Sequence, residues 1–574
     1  MRPSTVGVAL LVWGSPLLAQ QGSISRAFEL ERRGDYAAAA DAYRQILGAK
    51  PSDVAALLGL ERVLVPLNRA GEILPQARAA LANGPSNAVV YGVALRAWAA
   101  LDRPDSMRAV AQQWAAFAPK DEMPYREWGA AALGRGDRQG AIEAYALGRE
   151  RLNRPDALAA ERAQLAAMDG DYGAALHEWV AALRRVPGFR LTAVGAMSQA
   201  PEPSRPALLR DLGRENDFVA RRLEADLRVR WGDPTGGLKA IMDALPQDRG
   251  PAVEALRGLV DQLRTQQMPE GKLALARGLE ALANRASDAE RSRLRLDAAQ
   301  AYTGAGDRES ARRMLSGLAE DRTASGQVAA GASAQLVQVL IAEGQLEEAG
   351  KRLADAAPAL SADDRESLRL QLVAAWLREG DVPRAEATLG ADSTVEGLAL
   401  AGKIHLFRGD VAGAVDRLRK AGPYAGDRSD ATQRTALLAL LQPIASDSVP
   451  PLGRAMLQLE RGDTSRAIGT LEEVSRSLPA AQGGAGLVFL AGRLAAAQRH
   501  EDDAERLFRA AAASETPGTA PAAELALGEL LLGQDRAADA VTQLEHLILT
   551  YPESALVPQA RRRLDQARGA VPKT

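Results

Sequence analysis

The residues that most invite chemistry in this chain are Lys403, four histidines, a series of Gly-Asp pairs and the arginines Arg62, Arg96 and Arg126. Gly397-Leu398-Ala399-Leu400-Ala401-Gly402-Lys403-Ile404 has the glycines and lysine of a phosphate-cradling loop. That loop needs Ser or Thr after the lysine to hold Mg²⁺, and a strand before the glycines. Ile404 fails the first requirement, so the segment reads as the first helix of a helix pair, with Gly402 at a close contact. His177, His405, His500 and His546 stand far apart with no partner at metal-ligand spacing, and neither HExxH nor Gly-x-Ser-x-Gly occurs. Cysteine is absent, which excludes disulfides, thiolate zinc sites, iron–sulfur clusters and cysteine nucleophiles. The aspartates of the Gly-Asp pairs are spread too widely to converge on one substrate and are expected to cap helices. The expectation is therefore no catalytic residue, no metal, no cofactor and no enzymatic activity. The arginines offer different chemistry, because guanidinium pairs bidentately with carboxylate. Arg62 and Arg96 are 34 residues apart, and with Arg126 they can form a basic strip receiving carboxylates or a C-terminal acid. The alternative is that they pair with neighbours such as Glu61 and Glu127.

The spacing of 34 points to the elements that place them. From Gly170 to Pro187 the chain reads Gly-Asp-Tyr-Gly-Ala-Ala-Leu-His-Glu-Trp-Val-Ala-Ala-Leu-Arg-Arg-Val-Pro. Gly170 can end a helix in the left-handed region without a Cβ penalty, and Asp171 can cap the next one. Ala175 is small enough for close helix approach, Trp179 fills the wider gap, and Pro187 stops the run. Gly34, Asp35, Ala39, Tyr43 and Pro51 keep these offsets, and so do Gly136, Asp137, Ala141 and Tyr145. Pro51, Pro85 and Pro119 stand 34 residues apart, and Pro187 falls two periods later.

A self-similar two-helix unit of this length resembles the tetratricopeptide repeat (TPR) superfamily over nearly the whole chain. The ending Tyr551-Pro552-Glu553-Ser554-Ala555-Leu556 is similar to the last repeats of exported, periplasmic bacterial members. The resemblance implies an all-α, right-handed α-solenoid of tandem helix pairs, about 12–14 repeats with several degenerate. It also implies a concave groove, lined by the first helix of each pair, that binds a peptide or partner protein. On the frame of Gly170 the inner positions are Phe28, Arg62, Arg96 and Gln164, with Arg126 one turn earlier in its own repeat. The Lys/Asn constellation of the chaperone-tail clamp is missing, so that activity does not carry over.

Composition agrees with close helix packing: 47% of residues are hydrophobic but only 4% aromatic. A net charge of −2 leaves no global basic field, and nucleic acid is not an expected partner. Arg2, the apolar run Val6 to Trp13, the break at Gly14-Ser15-Pro16 and Leu17-Leu18-Ala19 before Gln20 read as a signal peptide, residues 1–19, cut after Ala19. Leu17 departs from that pattern, and a retained N-terminal anchor is the alternative. Val6 to Leu18 is too short to cross about 30 Å of hydrocarbon as a helix, and no later stretch is apolar enough to span a membrane. A periplasmic or secreted protein without a lipoprotein cysteine follows.

The domain reading is an N-terminal array at 20–187, turning at Gly34, Asn68, Asp102, Gly136 and Gly170. An irregular proline-rich connector occupies 188–217, either a degenerate repeat with a long loop, which is favoured, or a hinge. A second array at 218–552 restarts at Gly232, Gly306, Gly344, Gly380, Gly409 and Gly462. An extra helix at Asp430–Gln442 follows Gly409, and the last repeat carries Gly528, Ala540, Leu544 and Pro552. A capping helix and tail fill 553–574. Trp98, Trp128, Trp179 and Trp376 are expected in the core. The functional expectation is a protein-interaction scaffold or adaptor exported to the bacterial envelope; the alternative is the TPR module of an exopolysaccharide or envelope-assembly pathway.

Overall fold

A computed structural model describes residues 16–83, 87–215, 217–321, 323–422 and 428–570. Pro85 and the leader up to residue 15 lie outside the described residues, whereas Ala19 falls within the helix Pro16–Arg32. Every regular element among the described residues is helical, with one isolated antiparallel bridge between Asp410 and Ser448. The helices follow one another as antiparallel pairs stacked in series, an all-α solenoid architecture.

In most pairs the turn is set by one residue in the left-handed region; the pairs Arg190–Met197/Arg205–Arg214 and Arg249–Leu263/Pro269–Ala283 turn without one. In the first repeats the left-handed residues are Gly34, Asn68, Asp102, Gly136 and Gly170; further on they are Gly232, Gly306, Gly344, Gly380, Gly409, Gly462, Arg499 and Asp535. All eleven turns read from the sequence are there, and Arg499 and Asp535 complete the last two repeats. Asp35, Asp137, Asp171, Asp233, Asp307, Asp381 and Asp410 then accept the backbone N–H three residues on, as capping carboxylates do. Asp463 departs from this expectation: it makes no capping bond and lies 3.4 Å from Arg466 instead.

Packing within a pair depends on a size match. Nine residues past the turn stands a large side chain, and seven before it a small one. Tyr145 abuts Gly129, Leu418 would lie 2.7 Å from a Cβ at Gly402, Phe508 2.8 Å from one at Gly492, and Leu544 2.7 Å from one at Gly528. The second and third repeats exchange the sizes on the second helix. Ile73 and Met107 occupy the usual alanine slot, Ala77 and Ala111 the usual large one, and all four are buried. That swap conserves volume and explains why these two repeats are faint in the sequence. Trp128, Trp179 and Trp376 are core as expected, but Trp98 is half-buried with Arg78 5.0 Å from its ring centre. Trp114 is the buried indole of that region.

Contacts divide the chain into two compact units, Met1–Ala274 and Leu275–Thr574. The 188–217 connector is therefore interior to the first unit. Its helices Arg190–Met197 and Arg205–Arg214 both pack on Phe218–Arg230, and Pro206 sits in a first turn, where its missing N–H costs nothing. In the second unit the extra helix spans Arg428–Leu441, and the capping helix Val557–Ala570 buries Val557, Ala560, Leu564 and Ala567 while Arg561, Arg562 and Arg568 stay exposed.

Candidate functional site

The first helices of the N-terminal repeats form one wall. Pro16–Arg32 touches Val54–Leu64, which touches Ala88–Ala100, which touches Met123–Gly134. Arg62, Arg96 and Arg126 all lie on this wall, and each is answered by glutamate. Arg62 donates from Nε and Nη2 to both oxygens of Glu31, at 2.8 and 3.0 Å. Arg96 grips Glu61 in the same bidentate way at 2.7 and 3.0 Å and reaches Glu127 at 3.3 Å. Arg126 pairs with Glu161 on the next first helix and with Glu122 at 3.0 Å on its own. The strip is a ladder of compensated charges whose rungs tie successive repeats together. Gln164 and Phe28 are exposed, Phe28 at 57%.

The electrostatics follow from these pairs. The Arg62 hydrogen bond holds the Glu31 carboxyl below the usual carboxylate range despite partial burial, and the guanidinium of Arg62 is pushed up in return. Tyr43 donates to Glu31 at 2.8 Å; burial first, and then this bond to a carboxylate, push its phenol up to about 12. Arg96 is raised chiefly by Glu61. The glutamates sit deeper than their partners, so the guanidinium faces are what the wall presents.

Glu31, Glu122 and Glu161 did not figure among the sequence-derived residues. The signal was there: acid and base lie 31 or 35 residues apart at Glu31/Arg62, Glu61/Arg96, Arg96/Glu127 and Arg126/Glu161. That is one repeat displaced by a few residues along the helix. It becomes readable only once the helices are known to be neighbours.

The other chemistry-bearing residues are dispersed. His177 and His500 are exposed. His405 meets Asp410 at 2.8 Å, and His546 meets the buried Glu524 at 2.9 Å and Thr550 at 3.3 Å. Among the described residues no cluster of three or more His, Cys, Asp or Glu could hold a metal ion, and no helix is long and apolar enough to cross a membrane. Gly397 to Ile404 lies inside the helix Val395–Phe407, and Lys403 pairs with Glu460 at 3.1 Å.

No family model and no curated protein sequence matches this chain. Solved structures with some likeness include Naa15/Naa10 bound to HypK-THB, at 13% identity over 96% of each chain and a TM-score of 0.24. A tetratricopeptide repeat protein from Parabacteroides merdae has 13% identity over 52% of this chain and 99% of its own, with a TM-score of 0.23. PPR10 in complex with an 18-nt psaJ RNA element has 13% identity over 96% of this chain and 88% of its own, with a TM-score of 0.30. At these scores no role passes from them to this chain; its architecture rests on its own helix pairing.

Proposed function

We propose that the chain is a non-enzymatic scaffold of the TPR type, exported to the bacterial envelope, that holds a partner protein or peptide on the first-helix wall of its N-terminal repeats. The observation that carries this is the run of guanidinium faces at Arg62, Arg96 and Arg126, with the exposed ring of Phe28 on the first helix that touches that of Arg62. An arginine has five N–H donors, and Arg62 commits Nε and Nη2 to Glu31, leaving the others for a partner's carboxylate. Phe28 supplies apolar area that costs little to order, and exposed aromatic and arginine side chains are the types that dominate binding energy at interfaces. Gln164 extends the same surface with an amide.

The test is affinity capture from an envelope fraction with the full chain and with the F28A and R62E/R96E variants. A partner retained by the parent chain and lost by both variants fits the proposal; capture unchanged in both ends it. N-terminal sequencing of the exported protein checks the leader independently: a mature end at Gln20 is expected, and Met1 retained on a cytosolic protein contradicts export.

A further inference from the structure

Inside the N-terminal unit, the helices Arg205–Arg214, Phe218–Arg230 and Pro234–Asp243 line an open cleft of about 540 Å³. Its charged lining is Arg210, Arg214, Arg221, Arg228 and Lys239, against the two carboxylates of Glu224 and Asp243. The whole chain carries 71 basic and 73 acidic residues, so this surplus is local and does not reflect overall composition.

The cations are held in two ways. Glu224 is only 2% exposed, and a carboxylate so deeply placed needs cations to offset its lost hydration. Arg228 donates to it at 2.8 Å, and Arg221 pairs with it on the other side. Arg228 also reaches Asp233 at 2.7 Å, while Asp243 stands 3.7 Å from Arg221. Along the same cleft, Arg214 has among the described residues only the exposed Asp211 as a carboxylate partner, at 3.2 Å. Arg210 and Lys239 are exposed and have no carboxylate within ion-pair distance among the described residues. Gly213 lines the mouth, and a Cβ there would only touch Nη1 of Arg221, at 3.4 Å. Leu209 and Ala240 add apolar wall.

Two uncompensated positive charges, on Arg210 and Lys239, beside an Arg214 held only by an exposed carboxylate, call for an anion of more than one charge. Guanidinium forks beside an ammonium point charge match the oxygens of a tetrahedral oxyanion. The volume falls within the range of about 300–1,000 Å³ typical of small-ligand sites and exceeds what a bare oxyanion fills. We propose that this cleft binds the phosphate monoester of a small molecule, with Arg210 and Lys239 meeting the phosphate alongside Arg221 and Arg228. The site is separate from the first-helix wall and does not depend on the scaffold reading.

Isothermal titration calorimetry on the full chain, with glucose 1-phosphate, inorganic phosphate and uncharged glucose at matched ionic strength, tests this. Saturable binding of glucose 1-phosphate is expected, weakened at least about tenfold in R210E/K239E, both of whose positions are exposed. Inorganic phosphate binding as tightly as glucose 1-phosphate would place recognition on the oxyanion alone; weaker binding would add a share from Leu209 and Ala240. The R62E variant, on the wall, should leave the titration unchanged. No saturable binding of either anion, or equal binding in a folded R210E/K239E chain, overturns the proposal.

Discussion

The first five repeats and the repeats after Gly306 build the same slot by different means. In the first region the left-handed residues are Gly34, Asn68, Asp102, Gly136 and Gly170, evenly spaced, and arginine–glutamate rungs tie each first helix to the next. In the second unit they are Gly306, Gly344, Gly380, Gly409, Gly462, Arg499 and Asp535, unevenly spaced. Between Gly409 and Gly462 the chain makes the extra helix Arg428–Leu441 and then returns: Val449 donates to Gly409 at 2.7 Å, and Lys403 pairs with Glu460, 57 residues on. The next first helix, Pro450–Glu460, therefore still lies against Val395–Phe407. What the fold preserves is the neighbour in space, not the count of residues to it. A repeat array tolerates an excursion on its surface because each unit needs only its neighbour's face.

The comparison can be broken most strongly at its common element, the large side chain nine residues past the turn. Trp179 is fully buried, and Trp179→Ala should cost about 3–5 kcal/mol in urea unfolding of the N-terminal unit. A cost below about 1 kcal/mol would mean the pair packs by some other contact. The turn glycines separate the two regions next. Gly34 has φ +80° and open space around it, so Gly34→Ala should lose only the left-handed penalty, about 1–2 kcal/mol. Gly409 has φ +85°, and a Cβ there would run into the backbone of Pro450, 2.7 Å from its nitrogen. Gly409→Ala should therefore cost clearly more, about 3 kcal/mol, by the same measurement. Equal losses at the two glycines would show that the return after the extra helix is loosely held.

Acid should then act on the first region through its rungs. Glu31 has a folded pKa lowered chiefly by Arg62, so its contribution is complete above the usual carboxylate range and is lost as pH falls through the folded value. Between neutral pH and about pH 3 the urea midpoint of the N-terminal unit should fall less steeply in Glu31→Gln than in the parent. Parallel slopes would remove Glu31 from the ladder's energetics. Smallest is the loss of the exposed rungs at Arg96, to Glu61 and Glu127: Arg96 is 43% exposed along its side chain, and Arg96→Ala should cost about 1 kcal/mol or less, shrinking further in molar salt. A larger, salt-insensitive loss would point to packing of the arginine stem instead.

Much of this was legible from local chemistry. Gly34, Gly136 and Gly170 announce their turns because glycine alone enters the left-handed region freely, and Tyr43, Tyr145 and Trp179 stand where a paired helix leaves room. The faint repeats failed for an equally local reason, since Ile73/Ala77 and Met107/Ala111 reverse the sizes that the pattern seeks. The basic strip was legible only in part. Arg62, Arg96 and Arg126 were found by their spacing, but their glutamates lie on neighbouring helices, and charge pairing across helices leaves no mark within one repeat.

The linear order of residues determined the helix pairs, because caps, left-handed turns and the 34-residue size pattern act over one or two turns of chain. It also determined that the connector 188–217 would be broken by proline and that a polar helix would close the second unit. Tertiary structure alone decided that the rungs are neutralised, that the units divide at Ala274 and Leu275, and that Arg210, Arg214, Arg221, Arg228 and Lys239 face one cleft. Those outcomes depend on which helix faces lie against each other, and Coulomb and packing forces between faces answer to distance in space, which residue number does not measure.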